Sequence, residues 1–295
     1  MNVTLTPSEI HAYLKRIGIN TIKKPTLEFL AEMQQAHVHH LSWQTVDIFA
    51  GRPAGIDLQE SVQLILQGRS GYCFHLNGAF SVLLHSLGYK VHWHRAGVQP
   101  RVNSFHLGLS VSLPDADPNV ERRIVDVGLG GMPFEPLPLR YGTYGPTPFT
   151  YTLMPSSVVP GGWRLEYEPN GPSKGVDYDP EELTRLEEFN PKHEFYSQSV
   201  DSPWHNAFLL RQRDTDHSYE LRGCMLRTHG IEGIRKTEIQ TYEEWKDVLA
   251  KLFYEPLVDY TEQERREMWD RIQIAHEEWK RTQLAWSTEE NAMKG

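Results

Sequence analysis

The chain has 295 residues, 39% of them apolar, enough to bury a substantial core as one large domain or two to three small ones. Its 30 basic residues face 39 acidic ones for a net charge of −9, and no basic cluster offers the phosphate-binding face that a nucleic acid requires. Residues 1–18 lack the apolar core of a signal peptide and no apolar stretch reaches transmembrane length, so the expected setting is the cytoplasm, with no membrane partner.

Helices are expected first. Thr6, Pro7 and Glu9 form an N-terminal capping box, and Gly18 closes the helix they start. A second helix begins near Thr26 with Leu27, Leu30 and Met33 on one face. Asp57 caps a third, with Glu60 three residues on and Val62, Ile65 and Leu66 turned inward. The fourth spans 73–88, with Phe80, Leu83, Leu84 and Leu87 as its apolar stripe. Alternation then predicts strands over 89–98, 106–113 and 123–129, with an exposed turn at 114–119. Proline and glycine are dense from 130 to 175, which favours loops and short strands. Thr241 with Glu244 and Thr261 with Glu264 are two further capping boxes, and a charged surface helix is expected over about 262–286.

Two cysteines, Cys73 and Cys224, allow one disulfide at most and no framework. A reduced thiol is either a small buried hydrophobe or a reagent. The run Arg69-Ser70-Gly71-Tyr72-Cys73-Phe74-His75-Leu76-Asn77 brings Cys73 to the first turn of an apolar helix, where unpaired N–H groups and the helix dipole favour a thiolate. His106 opens an alternating strand, so its side chain has a fixed direction. Asp126 interrupts the apolar run Ile124-Val125-Asp126-Val127-Gly128, where a carboxylate needs a hydrogen-bond donor such as an imidazole. A thiol, a base to take its proton and a carboxylate to orient that base form a nucleophilic triad, with a buried structural cysteine as the rival reading.

These residues resemble the arylamine N-acetyltransferases over nearly the whole chain. Residues 69–77 are similar to that family's R-G-G-Y-C-[FY]-E-x-N signature, His106-Leu107-Gly108-Leu109 to its H-x-x-L segment, and Asp126-Val127-Gly128-Leu129-Gly130 to D-V-G-F-G. Tyr13 to Gly18, Leu87-Gly88-Tyr89, Pro133 and the segment from Ser202 to Phe208 also fit. The resemblance implies an α+β fold with a cysteine-protease-like Cys-His-Asp core. Three regions are expected: a helical bundle (1–88) with the nucleophile, a β-barrel (89–198) with the histidine and aspartate, and an α/β lid with the C-terminal helix (199–295). It implies ping-pong transfer of an acetyl group from acetyl-CoA to an arylamine, arylhydrazine or related amine, through a thioester on Cys73 and without a metal. Trp43, Tyr72, Leu129 and Phe208 would touch the acceptor, and coenzyme A would pass near Gly130 and Gly131.

The sequence departs from the family pattern in several places. Ser70 replaces a glycine, and His75 replaces a glutamate and is expected to bring a pH-dependent charge. The P-F-E-N segment reads Ser42-Trp43-Gln44-Thr45, so Arg69 is expected to meet a neutral Gln44 as structural support. Trp43 and Leu129 each replace a phenylalanine, which displaces the acceptor pocket. His37, His39 and His40 cluster, and His92 and His94 share one face of a strand, but no third ligand is spaced for zinc, and surface-facing polar positions explain the pair. Two other readings fit the same residues: an amide synthase on the same scaffold that takes a carrier-bound or larger acyl chain, and a cysteine hydrolase of the transglutaminase or papain kind.

Overall fold

The structure, a computed structural model, describes residues 2–98, 106–114, 122–168, 170–171 and 173–294, with side chains through 281. The expected turn at 114–119 lies outside these residues except for Pro114. Five helices surround the first core: α1 (Pro7–Arg16), α2 (Leu27–His40), the short α3 (Val46–Phe49), α4 (Leu58–Leu66) and α5 (Cys73–Ser86), with the two-residue strand β1 (Trp43–Gln44) between α2 and α3. Thr6 and Glu9 form the reciprocal capping box, and Thr26 and Asp57 accept from backbone N–H groups at the starts of α2 and α4. In α4 it is Leu64 that is buried with Val62 and Ile65, while Leu66 is half-buried. Every residue of α5 from Cys73 to Leu84 is buried, because the helix runs through the centre of the molecule instead of lying on it with one apolar stripe.

The middle of the chain is an eight-stranded antiparallel sheet, built from β2 (Lys90–Gly97), β3 (His106–Ser112), β4 (Arg122–Ile124), β5 (Leu137–Pro138), β6 (Gly142–Tyr144), β7 (Tyr151–Pro155), β8 (Trp163–Tyr167) and β9 (Gly175–Leu183). Its order is β5-β4-β3-β2-β9-β8-β7-β6, a barrel-like sheet whose end strands β5 and β6 are not paired with each other in the described residues. One face packs on the helices through Trp93, Leu107, Leu109 and Val111. A separate core of Ala96, Leu129, Met132, Leu153, Leu165 and Tyr178 fills the other side. β4 ends at Ile124, so the expected strand over 123–129 is cut short and Asp126 lies in the irregular segment beyond it.

After α6 (Asn190–Gln198), four strands form a second sheet: β10 (Leu209–Arg213), β11 (Ser218–Arg222), β12 (Met225–Gly230) and β13 (Gly233–Glu238). β1 adds to its edge, with Trp43 opposite Arg211. α7 (Tyr242–Lys251) and α8 (Glu262–Lys294) follow. Thr241 and Thr261 both make the reciprocal bonds with Glu244 and Glu264. α8 is not wholly a surface helix: Met268, Trp269 and Ile272 join Trp245, Phe253 and Leu210 in the C-terminal core. Charged residues dominate its composition, yet three apolar ones at helical spacing suffice to seat one face. Among the described residues no helix is long and apolar enough to cross a membrane.

Candidate active site

Cys73 is the first residue of α5 and is 4% exposed, whereas His106 and Asp126 have no exposure at all. His106 opens β3, paired with Ala96 of β2. Its Nε2 lies 2.6 Å from Oδ2 of Asp126. That leaves Nδ1, a buried nitrogen without a conventional hydrogen bond, as the ring atom available to the thiol. The close packing of the three segments explains Gly128. A Cβ there would stand 3.1 Å from both Cα and Cβ of Cys73 and 2.7 Å from Nδ2 of Asn77, so any side chain would force the aspartate segment off the nucleophile's helix.

The buried carboxylate of Asp126 accepts four hydrogen bonds. Besides His106, Tyr178 of β9 donates its hydroxyl to Oδ2 at 2.9 Å, and Oδ1 receives Nδ2 of Asn77 at 2.7 Å and the N–H of Gly128 at 2.9 Å. Burial alone would raise its pKa; the charge of His106 and the bonds from His106, Asn77 and Gly128 reverse this and lower it. For His106, burial works to lower the pKa, and the Asp126 carboxylate with the neighbouring Cys73 outweighs it, pushing the imidazole up to about 10. The arrangement therefore favours an imidazolium held between a carboxylate and a sulfur. An imidazole held in this way beside a thiol can take the thiol's proton, which is the chemistry that a nucleophilic cysteine needs.

Asn77 and Tyr178 were not singled out from sequence. Asn77 lies one turn after Cys73 on the same helix face, and its amide also donates to Leu107 O at 2.6 Å and accepts from Val127 N–H at 2.9 Å. The i, i+4 spacing within the signature was a signal for it. Tyr178 had no local signal. It comes from β9, stacked on Trp163 with ring centroids 5.5 Å apart, and reaches Asp126 over Gly108, where a Cβ would stand 2.6 Å from its ring.

His75 does not supply a pH-dependent charge. Its Nδ1 accepts the Tyr72 N–H at 3.4 Å, so the proton sits on Nε2, which donates to Gly55 O at 3.0 Å. Burial, then His193, lowers its pKa to about 4, and it stays neutral at ordinary pH. It does the work of a capping residue three places into the helix. A His75→Gln variant is accordingly expected to leave the shape of the pH–rate profile between about pH 5 and 8 unchanged. A step lost from that profile would show that His75 titrates there.

Arg69 does not meet Gln44 directly. It pairs with Asp47 at 2.8 Å and Asp259 at 3.4 Å, while Gln44 donates to the same Asp47 at 3.3 Å and to Ser70 O at 3.3 Å. The carboxylate missing from position 44 is thus replaced by one three residues later. His92 and His94 are buried, not surface-facing. His92 is hydrogen-bonded to Ser112 and paired with Glu182, and His94 bonds Ser110 and Asp179 O.

Trp43 and Tyr72 stand together. Both meet Trp204, at centroid distances of 5.6 and 5.1 Å, and Trp204 stacks on Tyr196 at 3.9 Å. The other two expected acceptor contacts lie elsewhere. Leu129 is in the core of the eight-stranded sheet. Phe208 is in the C-terminal core, 5.4 Å from Trp245 and 5.5 Å from Phe49. Alternation at the start of β10 turns Phe208 and Leu210 to the core opposite the one that receives Leu209, Trp43 and Cys73. Gly130, at φ +70°, is buried against β10, where a Cβ would stand 2.4 Å from Cβ of Arg211. Gly131 is buried and accepts the Tyr151 hydroxyl through its carbonyl.

A sequence model described as N-acetyltransferase matches residues 26–257. The arylamine N-acetyltransferase of Mycolicibacterium smegmatis is 33% identical over 132 residues, 42% of this chain and 47% of that protein. The arylamine N-acetyltransferase / N-hydroxyarylamine O-acetyltransferase of Salmonella typhimurium is 32% identical over 173 residues, 54% of this chain and 57% of that one. The matched stretches thus span about half the length of these curated relatives. The structure of the Mycobacterium marinum arylamine N-acetyltransferase in complex with CoA superposes with a TM-score of 0.76 at 24% identity, covering 89% of this chain and 98% of that one, and this likeness shows the fold.

Proposed function

The chain belongs to the arylamine N-acetyltransferase family, and from that premise we propose that it is an acyltransferase moving an acetyl group from acetyl-CoA to a primary arylamine or arylhydrazine through a thioester on Cys73. The observation that carries this reading is the buried His106 imidazole, bonded through Nε2 to Asp126 and interacting with the Cys73 thiol.

In the first step the Cys73 thiolate attacks the thioester carbonyl and forms a tetrahedral oxyanion. Backbone N–H groups at the start of α5, that of Cys73 included, stabilise it. The oxyanion collapses, coenzyme A leaves as a thiolate, and the imidazolium proton of His106 goes to it. In the second step the amine attacks the acetyl-cysteine. Neutral His106 accepts the amine's proton, the Cys73 thiolate departs, and the N-acetyl product leaves with the charged pair restored. Asp126 keeps the ring in the tautomer that frees Nδ1 and stabilises its positive form. Coenzyme A is expected to pass near Gly130 and Gly131, where Arg211 packs through its Cβ and backbone while its guanidinium pairs with Glu220. Initial rates measured against both substrates test the scheme: parallel double-reciprocal lines are expected, and intersecting lines would exclude a free acyl-enzyme.

The acceptor site takes its shape from Trp43, Tyr72 and Trp204. Trp43→Phe removes bulk and an indole N–H that has no hydrogen-bond partner among the described residues. It is expected to change the relative kcat/KM of small and bulky amines by about tenfold to two-hundredfold. Phe208→Ala is expected to leave that ranking alone and to cost about 3–5 kcal/mol of stability, since its ring belongs to the C-terminal core. A panel of anilines, hydrazines and less planar amines, read beside thermal melts, checks both. An unchanged ranking in Trp43→Phe would remove Trp43 from the pocket.

A further inference from the structure

The turn that delivers Cys73 is held from behind by residues distant in sequence. The hydroxyl of Ser70, which stands where the signature has glycine, donates to Glu255, a carboxyl only 3% exposed in the segment after α7, and lies 3.2 Å from Oγ of Ser42. The same segment grips the turn twice more. Asp259 pairs with Arg69 at 3.4 Å, and Tyr260 donates at 2.7 Å to Asp47, the carboxylate that holds Arg69 at 2.8 Å. Arg16 of α1 ties the two segments together by donating to Gly68 O at 3.4 Å and Tyr254 O at 3.1 Å.

Two observations mark this strap as more than filler. Tyr254 and Leu257 have φ of 51° and 53°, a left-handed conformation that non-glycine residues keep only when their surroundings hold it. Glu255 is also a buried carboxyl whose hydrogen-bond donor is a signature-turn hydroxyl, in a position where an unsatisfied carboxyl is costly. Burial raises its pKa to about 7, with the Ser70 bond, Arg16 and Arg69 pulling down and Asp47 pushing up.

We propose that Glu255 is a positioning residue for Cys73: through Ser70 it fixes the 69–72 turn and so sets where the thiol stands relative to His106. The Ser70–Glu255 bond adds to the hold that Asp47 and Asp259 keep on Arg69. Its part in turnover rests on the acyltransferase reading; its part in placing the thiol does not.

The test compares the wild type with Ser70→Gly, Ser70→Ala and Glu255→Gln as full-length proteins. Three quantities are read: the rate of Cys73 alkylation by iodoacetamide, kcat and KM with acetyl-CoA and an aniline acceptor, and the melting temperature. Ser70→Gly restores the family's residue yet is expected to slow alkylation and kcat by about tenfold or more, with KM for the acyl donor changed less than about twofold. Ser70→Ala behaves alike and covers the case in which the glycine variant fails to fold. Glu255→Gln, whose amide oxygen still accepts from Ser70, retains most of the alkylation rate. Variants that melt earlier but alkylate and turn over at the wild-type rate per folded molecule would overturn the proposal and leave Glu255 a stabilising residue. If alkylation falls as expected while the wild type transfers no acetyl group, the functional reading fails and this one stands.

Discussion

Incubated with acetyl-CoA, the protein is expected to gain one acetyl group, on Cys73 and not on Cys224. Cys73 begins a helix, where unpaired N–H groups favour a thiolate, and it interacts with His106, whose pKa is raised. Cys224 is buried in the C-terminal core, and burial followed by the charge of Glu238 pushes its thiol up to about 11, so it stays protonated and unreactive. Cys73→Ser is expected to lose at least about 10⁴-fold in turnover, because a hydroxyl is a far weaker nucleophile at neutral pH. Intact mass followed by peptide mapping reads the outcome. An acetyl group found on Cys224, or no acyl-enzyme at all, would end the mechanism.

Asp126→Asn should cost nearly as much, about 10³–10⁴-fold in turnover. All four groups bonded to the carboxylate are donors: His106 Nε2, the Tyr178 hydroxyl, the Asn77 amide and the Gly128 N–H. An asparagine has one acceptor oxygen, so its NH₂ must face one of these pairs. Facing His106, it forces Nε2 to accept and the ring proton onto Nδ1, the atom that should receive the thiol's proton. The pH dependence reports the same change. In the wild type Asp126 holds the His106 pKa up to about 10, so the imidazolium persists through neutrality and is lost only as pH rises past that value. With its charged imidazole, the wild type is therefore expected to be alkylated faster at neutral pH than Asp126→Asn. Identical profiles for the two proteins would mean that no charged pair forms.

Local chemistry explains what was legible in advance. Capping boxes at Thr6, Thr241 and Thr261 and the caps at Thr26 and Asp57 involve residues two or three apart, so sequence spacing alone specifies the bonds. The same holds for Cys73 at a helix start and His106 at a strand start. Where expectations failed, a distant partner decided. Position 44 reads as a missing carboxylate, yet Asp47, Asp259 and Glu255 surround the turn. His75 reads as a titrating charge until the Gly55 carbonyl and full burial hold it neutral.

The sequence by itself determined the helix starts, the candidate cysteine, histidine and aspartate and the order of helical and sheet regions, because each rests on short-range hydrogen bonding or on the period of apolar residues. The tertiary structure alone decided which groups converge. Tyr178 reaches Asp126 across 52 positions and Glu255 reaches Ser70 across 185, and no local pattern encodes a contact made only when separate elements pack. The Asp126 carboxylate that lifts the His106 pKa against its burial, and the burial that lowers that of His75, are likewise properties of the assembled core, since the same imidazole is charged or neutral according to the neighbours that folding brings.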